Sequence, residues 1–465
     1  MNEGVFDGGP RGEIAVIGLG RSGRAVARLL ARDGHRVYAS DSAVDGHGMP
    51  MADDPRALGV EVQFGGHDLA RVARAALVVV SPGVPPTAAP VVAARAAGAR
   101  VVSEVEIALR HMPHLRYIAV TGTNGKTTTT ALIGELLRGL GLEAVDAGNI
   151  GTPLSAVALM DRRPDWVALE LSSFQLHDTP SLNPTVGVLT NLSPDHLDRY
   201  ESVEEYYADK QRLFTNAGPA TRTVSNADDD LVERMTATVQ GTRWRFSAAG
   251  TWCEARYHGE SGEGVLELLG SPLMSRSELP LLGDHNVANA LAAALAVAMA
   301  DEGHQGAEAR QKMREALRGF RAMPHRMEPV GDVDGVLWIN DSKATNVGSV
   351  RVALAGMNRP YVLLLGGRHK GESYDSLIQP FLEHGRVVLA FGEARGKIVR
   401  DLGARLPVER MDGDFESVMR RARELARPGD AVLLSPACSS YDMFSNYEER
   451  GATFRELAMG GRGAG

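Results

Sequence analysis

The sequence predicts an α/β protein built on parallel sheets and divided into three domains. Three observations carry that prediction. The chain has 465 residues, and a domain takes roughly 150. One texture recurs three times: a short β-branched run, a glycine turn, then an Ala- and Leu-rich stretch of helical spacing. The strand candidates are almost continuous in apolar residues, as strands covered by helices on both faces must be.

The first segment opens with Ile14-Ala-Val-Ile17 and Gly18, followed by strand candidates Arg36-Val-Tyr-Ala39 and Leu77-Val-Val-Val80. Ser81-Pro-Gly-Val-Pro-Pro86 reads as the turn that ends the third of these. Gly18-Leu-Gly-Arg-Ser-Gly23 fits GxGxxG between a strand and a helix, and Asp41 closes the next strand. That is where a Rossmann fold places a ribose-binding acid. Glycines allow the backbone to approach a diphosphate, and the helix N-terminus favours its charge. The same residues also suit a purely structural strand-to-helix turn. A dinucleotide is the default ligand, and any nucleotide diphosphate satisfies the geometry.

The second segment begins with Tyr117-Ile-Ala-Val120 and runs into Thr121-Gly-Thr-Asn-Gly-Lys-Thr-Thr128. Here Gly125-Lys126-Thr127 has the chemistry of a phosphate loop. Backbone amides wrap phosphate oxygens, the Lys126 ammonium bridges them, and the Thr127 hydroxyl can hold Mg²⁺. Val120 replaces the leading glycine of GxxxxGK[ST], which points to the variant loop TGTNGKTT rather than a generic ATPase. Strands are expected at Trp166-Val-Ala-Leu-Glu170 and Val186-Gly-Val-Leu-Thr190. Glu170, at a strand's carboxyl end beside the phosphate loop, suits Mg²⁺ directly or through water. His196, in Asn191-Leu-Ser-Pro-Asp-His-Leu-Asp198, is either a second metal ligand or structural. Lys210 reads as a solvated helix lysine. As a cation it would repel Mg²⁺, and only conversion, for example to a carbamate, would make it useful beside the metal. Residues 222–280 read as β-rich and irregular, before Leu281-Leu-Gly-Asp-His-Asn286 and an alanine-rich helix from about Val287 to Ala300.

The third segment follows Met323-Pro-His-Arg326. Its expected strands are Val336-Leu-Trp-Ile339, Tyr361-Val-Leu-Leu-Leu365, Val387-Val-Leu-Ala-Phe391 and Ala431-Val-Leu-Leu434. Three polar loops each follow a strand: Asn340-Asp-Ser-Lys-Ala-Thr-Asn346, Leu365-Gly-Gly-Arg-His-Lys370 and Leu434-Ser-Pro-Ala-Cys-Ser-Ser-Tyr441. They should gather at the carboxyl edge of one sheet and offer cations and hydroxyls to a small dicarboxylate or to phosphates. Boundaries are expected near residues 112 and 322.

Composition narrows the function. Fifty basic and 58 acidic residues leave a net charge of −8, which argues against nonspecific nucleic-acid binding but not against a local anion pocket. Cys253 and Cys438 match no metal or disulfide spacing. The start lacks a secretory apolar core, and the longest apolar stretch, Leu291 to Ala300, is far short of the ~20 residues that span a bilayer. A cytoplasmic protein with no membrane insertion and no nucleic-acid partner is expected.

Taken together, these motifs resemble the Mur ligases, ATP-dependent amide-forming enzymes of peptidoglycan precursor synthesis. TGTNGKTT, Gly148-Asn-Ile-Gly151, Glu170-Leu-Ser-Ser-Phe-Gln-Leu176, Asp195-His-Leu-Asp198, Gly283-Asp-His-Asn286, Pro324-His-Arg326 and Asp341-Ser-Lys-Ala-Thr-Asn346 occur in the family's order, over nearly the whole chain. GLGRSG, GNIG, DSKATNVGS and the tail from Ser435 to Gly451 are most similar to the branch that adds D-glutamate to UDP-N-acetylmuramoyl-L-alanine.

The resemblance implies a Rossmann-like domain binding the UDP-substrate (1–112), a central ATPase domain (113–322) and a Rossmann-like domain binding D-glutamate (323–465). Gly20, Arg21, Ser22, Gly23, Asp41, Ser42, Asn149 and Ser172 match UDP-substrate positions, so a uridine diphosphate replaces the dinucleotide. Gly122, Thr123, Asn124, Gly125, Lys126, Thr127, Thr128, Asn286, Asn289, Arg326 and Asp341 match ATP positions. Thr127, Glu170, His196 and Lys210 match a site for two Mg²⁺ ions, with Lys210 as a carbamate. Thr345, Lys370, Ser440, Tyr441 and Tyr447 match the D-glutamate pocket. Lys126, His196, Lys210 and Lys343 are the implied catalytic set. The implied chemistry is an acyl phosphate formed from ATP and captured by the amine of D-glutamate. Lys343 and Arg326 would add positive charge as the third domain closes. A monomer is expected.

Other classes explain less. An NAD-dependent oxidoreductase would use the first GxGxxG and Asp41 but leave the phosphate loop idle. A phosphate-loop regulator or transporter-associated ATPase would leave the third segment's polar loops idle. A sister Mur ligase or a folyl-polyglutamate synthetase would keep the chemistry and change the acceptor.

Overall fold

The computed structural model describes residues 12–44, 51–195, 199–259, 263–321 and 323–460. His196 and the expected boundary residue 322 lie outside them. The chain divides into two compact units, Met1–Arg276 with Asn289–Leu317, and Ser277–Ala288 with Arg318–Gly465.

The first unit holds two sheets. Strands β1 (Ile14–Ile17), β2 (Val37–Ser40), β3 (Glu61–Gln63), β4 (Leu77–Val80) and β5 (Val101–Ser103) are all parallel, in the order β3-β2-β1-β4-β5. Ile14 and Val16 pack on one face, Ala15 and Ile17 on the other, which is why this run shows no polar alternation. The order reverses at β1, so the crevice beyond the carboxyl ends of β1 and β4 is the sheet's switch point.

The second sheet contains β6 (Arg116–Thr121), β7 (Ala144–Gly148), β8 (Trp166–Glu170), β9 (Val186–Leu189), β10 (Arg222–Asn226), β11 (Thr242–Ser247), β12 (Ala255–His258), β13 (Val265–Leu268) and β14 (Ser271–Ser275). Its order is β14-β13-β12-β11-β10-β9-β6-β8-β7, parallel up to β12 and antiparallel from β12 to β14. With β6 between β8 and β9, the loops that follow these three strands are neighbours. Residues 222–280 are therefore more regular than their sequence suggests, including a helix at Asp230–Thr236.

One hydrophobic core joins the two sheets. It takes Leu29 and Leu30 from the helix Arg21–Arg32, Val105 and Ala108 from the helix Glu104–His111, and Leu154 and Val157 from the helix Leu154–Ala158. Within this seam the buried Glu104 carboxyl accepts the amides of Leu154 (3.2 Å) and Ser155 (3.1 Å) at a helix start. Burial raises its pKa to about 7 against those hydrogen bonds.

The second unit holds β15 (Glu328–Val333), β16 (Val336–Asn340), β17 (Tyr361–Gly366), β18 (Gly385–Phe391), β19 (Val408–Arg410) and β20 (Ala431–Leu434), ordered β15-β16-β20-β17-β18-β19. Only the β15–β16 pair is antiparallel. Val362 and Leu364 enter one core, Leu363 and Leu365 the other.

The expected strands Ile14–Ile17, Leu77–Val80, Trp166–Glu170 and Ala431–Leu434 have the expected bounds. The expected strand at 36–39 shifts by one residue to Val37–Ser40, and the alanine-rich helix starts earlier, at Asp284. Five strands went unexpected: β3, β5, β7, β15 and β19. Each lies at an edge of its sheet, where partial exposure removes the continuous apolar run.

Candidate active site

The phosphate loop leaves β6 and enters the helix Lys126–Gly139. Its glycines are needed sterically. Gly122 has φ +149°, and a Cβ there would lie 2.0 Å from Thr190 Oγ1; Gly125 has φ +79°, and a Cβ there would lie 2.4 Å from Asn289 Oδ1. The segment after β9 holds the loop in shape. Asn191 accepts the Asn124 amide (2.8 Å) through its side chain and donates to the Asn124 carbonyl (2.9 Å), while Thr123 Oγ1 donates to the Ser193 carbonyl (3.0 Å). Lys126 Nζ donates to the carbonyls of Gly122 (2.9 Å) and Thr123 (2.8 Å). Thr127 is buried and Thr128 half-buried at the helix start, and Asn289 Oδ1 accepts from Thr129 Oγ1 (3.2 Å).

Glu170 ends β8 beside this loop. Its Oε1 accepts from Asn149 Nδ2 (2.8 Å), whereas the buried Oε2 has no hydrogen-bond partner. A buried anionic oxygen without a donor is costly, and a cation would satisfy it, so the residue fits Mg²⁺. Among the described residues no cluster of three or more His, Cys, Asp or Glu side chains is placed to hold a metal ion.

Lys210 is a correction. The sequence suggests a solvated helix lysine, but the residue is 1% exposed and donates to the Gly122 carbonyl (2.6 Å). Its helix, Val203–Gln211, also presents Tyr206, whose hydroxyl donates to Thr123 Oγ1 (3.3 Å). Burial first, then the Lys126 charge, push the Lys210 pKa well below its ordinary value, against the carboxylates of Asp195, Glu170 and Asp209.

At the switch point of the first sheet a cavity of about 420 Å³ is lined by Gly18, Gly20, Arg21, Ser22, Asp41, Ser42 and Asn149, among others. A Cβ on Gly23 would lie 1.7 Å from the Gly18 carbonyl oxygen, so the glycine is what permits the helix to start so close to β1. Asp41 ties the loop by accepting the amides of Leu19 and Ala43. Ser172 acts locally, capping the helix Ser173–His177 in a reciprocal pair with Gln175.

In the second unit, β16, β20 and β17 lie side by side and parallel, so the three polar loops emerge together as expected. Asp341 accepts the Met327 amide (3.2 Å) and the Ser435 hydroxyl (2.8 Å); burial raises its pKa to about 7, opposed in part by those bonds and by the charges of Arg326 and Arg450. Arg368 and Ser439 exchange backbone hydrogen bonds. Lys343 Nζ stands 5.0 Å from the centre of the Tyr447 ring. Thr345 is half-buried, Ser440 buried, and Lys370 and Tyr441 exposed. Asn286, Arg326, Asp341 and Lys343 belong to this unit, and Asn289 to the first.

Two residues escaped the sequence reading. Arg450, fully buried, donates to the Ser342 hydroxyl (2.9 Å) and to the carbonyls of Ser342 (2.7 Å) and Cys438 (3.2 Å), joining two of the loops. Its only signal was an arginine before Gly451. Gln175 lines a second cavity, of about 440 Å³, and its buried Nε2 has no hydrogen-bond partner; its only signal was its place in the Glu170–Leu176 motif, which assigned it no role.

The chain is similar to known proteins along most of its length. Residues 12–103 match the Mur ligase MurD-like N-terminal domain, 120–297 the Mur ligase middle domain, and 325–438 the Mur ligase glutamate ligase domain. The UDP-N-acetylmuramoylalanine--D-glutamate ligase of Salinibacter ruber is 43% identical, covering 96% of this chain and 97% of its own; that of Pelotomaculum thermopropionicum is 40% identical, at 97% and 98%. Two solved structures share the fold: UDP-N-acetylmuramate-alanine ligase MurC from Thermotoga maritima (TM-score 0.61, 19% identity, 97% of this chain and all of that one) and a pseudomurein peptide ligase type C from Methanothermus fervidus (0.60, 21%, 96% and 99%). With a phosphate loop, an open carboxylate oxygen at its flank and three polar loops on a separate sheet, the chain belongs to the Mur ligase family, and within it to the MurD type.

Proposed function

We propose that this protein is an ATP-dependent ligase that adds D-glutamate to UDP-N-acetylmuramoyl-L-alanine. The observation that carries the proposal is the phosphate loop, set beside a buried carboxylate with one unsatisfied oxygen and near the glycine-loop cavity. That combination suits activation of a nucleotide-linked carboxylate by phosphorylation, because amide formation from a free carboxylate in water is uphill and needs a better leaving group.

The UDP-substrate enters the cavity over Gly20, Arg21, Ser22 and Gly23, with Asp41 and Ser42 toward the base, and Asn149 and Ser172 toward the muramoyl end. Its carboxylate attacks the γ-phosphorus of ATP, the bond to ADP breaks, and an acyl phosphate forms. Gly122 to Thr128, with Asn286 and Asn289, hold the nucleotide; Lys126 steers the phosphates and offsets their charge. Arg326 and Lys343 add positive charge toward the same phosphates, and Asp341 belongs to the ATP-binding positions. Mg²⁺, when bound, neutralises charge on the transferring phosphoryl group. Thr127 and Glu170 would hold one ion, and His196 with Lys210 a second. Lys210 fits there only as an anionic carbamate, formed when its neutral amine bonds CO₂ and loses a proton. Thr345, Lys370, Ser440, Tyr441 and Tyr447 hold D-glutamate, whose amine attacks the acyl carbon as phosphate leaves.

We place the domain limits near residues 112 and 322, and read the protein as a cytoplasmic monomer. No helix among the described residues is long and apolar enough to cross a membrane. The test is ATP-dependent phosphate release with UDP-N-acetylmuramoyl-L-alanine, with and without D-glutamate and against a panel of other amino acids. Release that needs both substrates, with a product heavier by one glutamyl residue, is expected. Release with another amino acid alone would move the chain to a sister ligase.

A further inference from the structure

His67 lines the switch-point cavity beside Asp41 and Ser42, the end toward which the base of the UDP-substrate is proposed to point. The backbone on both sides of it is pinned. The amides of Gly65 and Gly66 donate to the carbonyls of Ala43 (2.6 Å) and Asp41 (3.0 Å), folding this turn back onto the exit of β2. Both glycines take positive φ, +76° and +143°, which other residues adopt only with strain. On the other side the Asp68 amide donates to the Tyr38 hydroxyl (3.0 Å), which itself donates to Gln63 Oε1 (2.7 Å), and Asp68 caps the helix Leu69–Ala73 through the Arg71 amide (2.9 Å). The ring is anchored too. Its Nδ1 lies 2.8 Å from the hydroxyl of Ser40, a fully buried residue that ends β2.

We propose that His67 is a binding residue for the UDP-substrate, donating its Nε2 hydrogen to a carbonyl oxygen of the uracil. The inference rests on the reading of this cavity as the UDP site. Its chemistry follows from Ser40. That hydroxyl has no other hydrogen-bond partner among the described residues, and a buried hydroxyl that only accepts leaves its own proton unpaired. It therefore donates to Nδ1. Burial lowers the pKa of the ring against the charge of Asp41, so the imidazole is neutral at neutral pH. A neutral ring that accepts at Nδ1 carries its one hydrogen on Nε2. Nε2 makes no hydrogen bond among the described residues, and uracil offers two ring carbonyls as acceptors. A donor already held in place loses little conformational freedom when the ligand arrives.

The test measures calorimetric affinity for UDP and for 2′-deoxyuridine diphosphate in wild type, His67→Ala, His67→Gln, His67→Asn and Ser40→Ala. His67→Ala should weaken UDP binding about tenfold, the loss of one hydrogen bond to the ligand. Glutamine places its amide nitrogen near the position of Nε2, and asparagine near that of Nδ1. His67→Gln should therefore recover much of the loss, and His67→Asn should not. Ser40→Ala frees the ring and should weaken binding less than His67→Ala does. The ratio of wild-type to His67→Ala affinity should be the same for both nucleotides, because they share the base. A ratio that vanishes with the deoxynucleotide would assign the bond to the ribose and overturn the uracil contact. Binding of the β,γ-imido analogue of ATP should be unchanged in every variant, which shows that each is folded. Wild-type UDP affinity in folded His67→Ala, or equal losses in His67→Gln and His67→Asn, would overturn the inference. Should His67→Ala not fold, the contrast between glutamine and asparagine carries the test. A wild type that binds imido-ATP but no UDP would overturn the reading of the cavity and this inference with it, an outcome distinct from unperturbed binding in the variants.

Discussion

Arg450→Ala should destabilise the protein by about 3–5 kcal/mol and loosen the acceptor loops. The side chain is fully buried and gives four hydrogen bonds, two to the Cys438 carbonyl, one to the Ser342 carbonyl and one to the Ser342 hydroxyl. Truncation strands two buried carbonyls, each costing about 1–3 kcal/mol, and adds a cavity the size of most of an arginine. Burial lowers the guanidinium's pKa to about 10, partly opposed by Cys438, Asp442 and Asp341, so it remains a cation at neutral pH and its bonds are charge-assisted. Arg450→Lys keeps the charge but not the planar fork, and should cost about 1–3 kcal/mol. Urea denaturation of wild type and both variants measures the stability term. KM for D-glutamate, taken on the folded fraction, measures the loop term and should rise at least about tenfold for Arg450→Ala, a loss near 1.4 kcal/mol of binding. An Arg450→Ala protein within about 1 kcal/mol of wild type with an unchanged KM would refute the view that this arginine holds the two loops together.

Other outcomes follow from the same geometry. Lys126→Ala should abolish most turnover, by about a hundredfold or more, through lost phosphate stabilisation; near-normal phosphate release would remove Lys126 from the mechanism. Gly23→Ala, whose methyl would fall 1.7 Å from the Gly18 carbonyl oxygen, should displace the glycine loop and weaken UDP-substrate binding, read by calorimetry, while the imido-ATP analogue still binds. Glu104 supplies a pH signature. Its pKa is raised from the ordinary 4.5 to about 7 by burial, so the folded protein keeps a proton that the unfolded chain has released. The stability it contributes is present below about pH 4.5 and lost as pH rises through about 7, at up to about 1.4 kcal/mol per pH unit. The difference in stability between wild type and Glu104→Gln should therefore move against wild type across that interval, and a flat difference would place the carboxyl among ordinary ones.

The chemistry was readable where it is local. Gly122 to Thr128 must follow one another for their amides to converge on a phosphate, and Gly18, Gly20 and Gly23 must be spaced to start a helix against a strand. The central strands were readable for a related reason: burial on both faces leaves an uninterrupted apolar run, as in Ile14–Ile17 and Ala431–Leu434. The edge strands β3, β5, β7, β15 and β19 were not, because partial exposure mixes their composition with that of loops.

By itself, then, the sequence determined the α/β class, the phosphate loop and the strand-end position of each polar loop, since all of these depend on residues close in the chain. Only the tertiary structure decided that Lys210 is buried against Gly122, that Glu170 keeps one oxygen without a partner, and that Arg450 joins segments far apart in sequence. Burial and the pairing of polar atoms are properties of whatever packs around a residue, and most of what packs around these three comes from elsewhere in the chain.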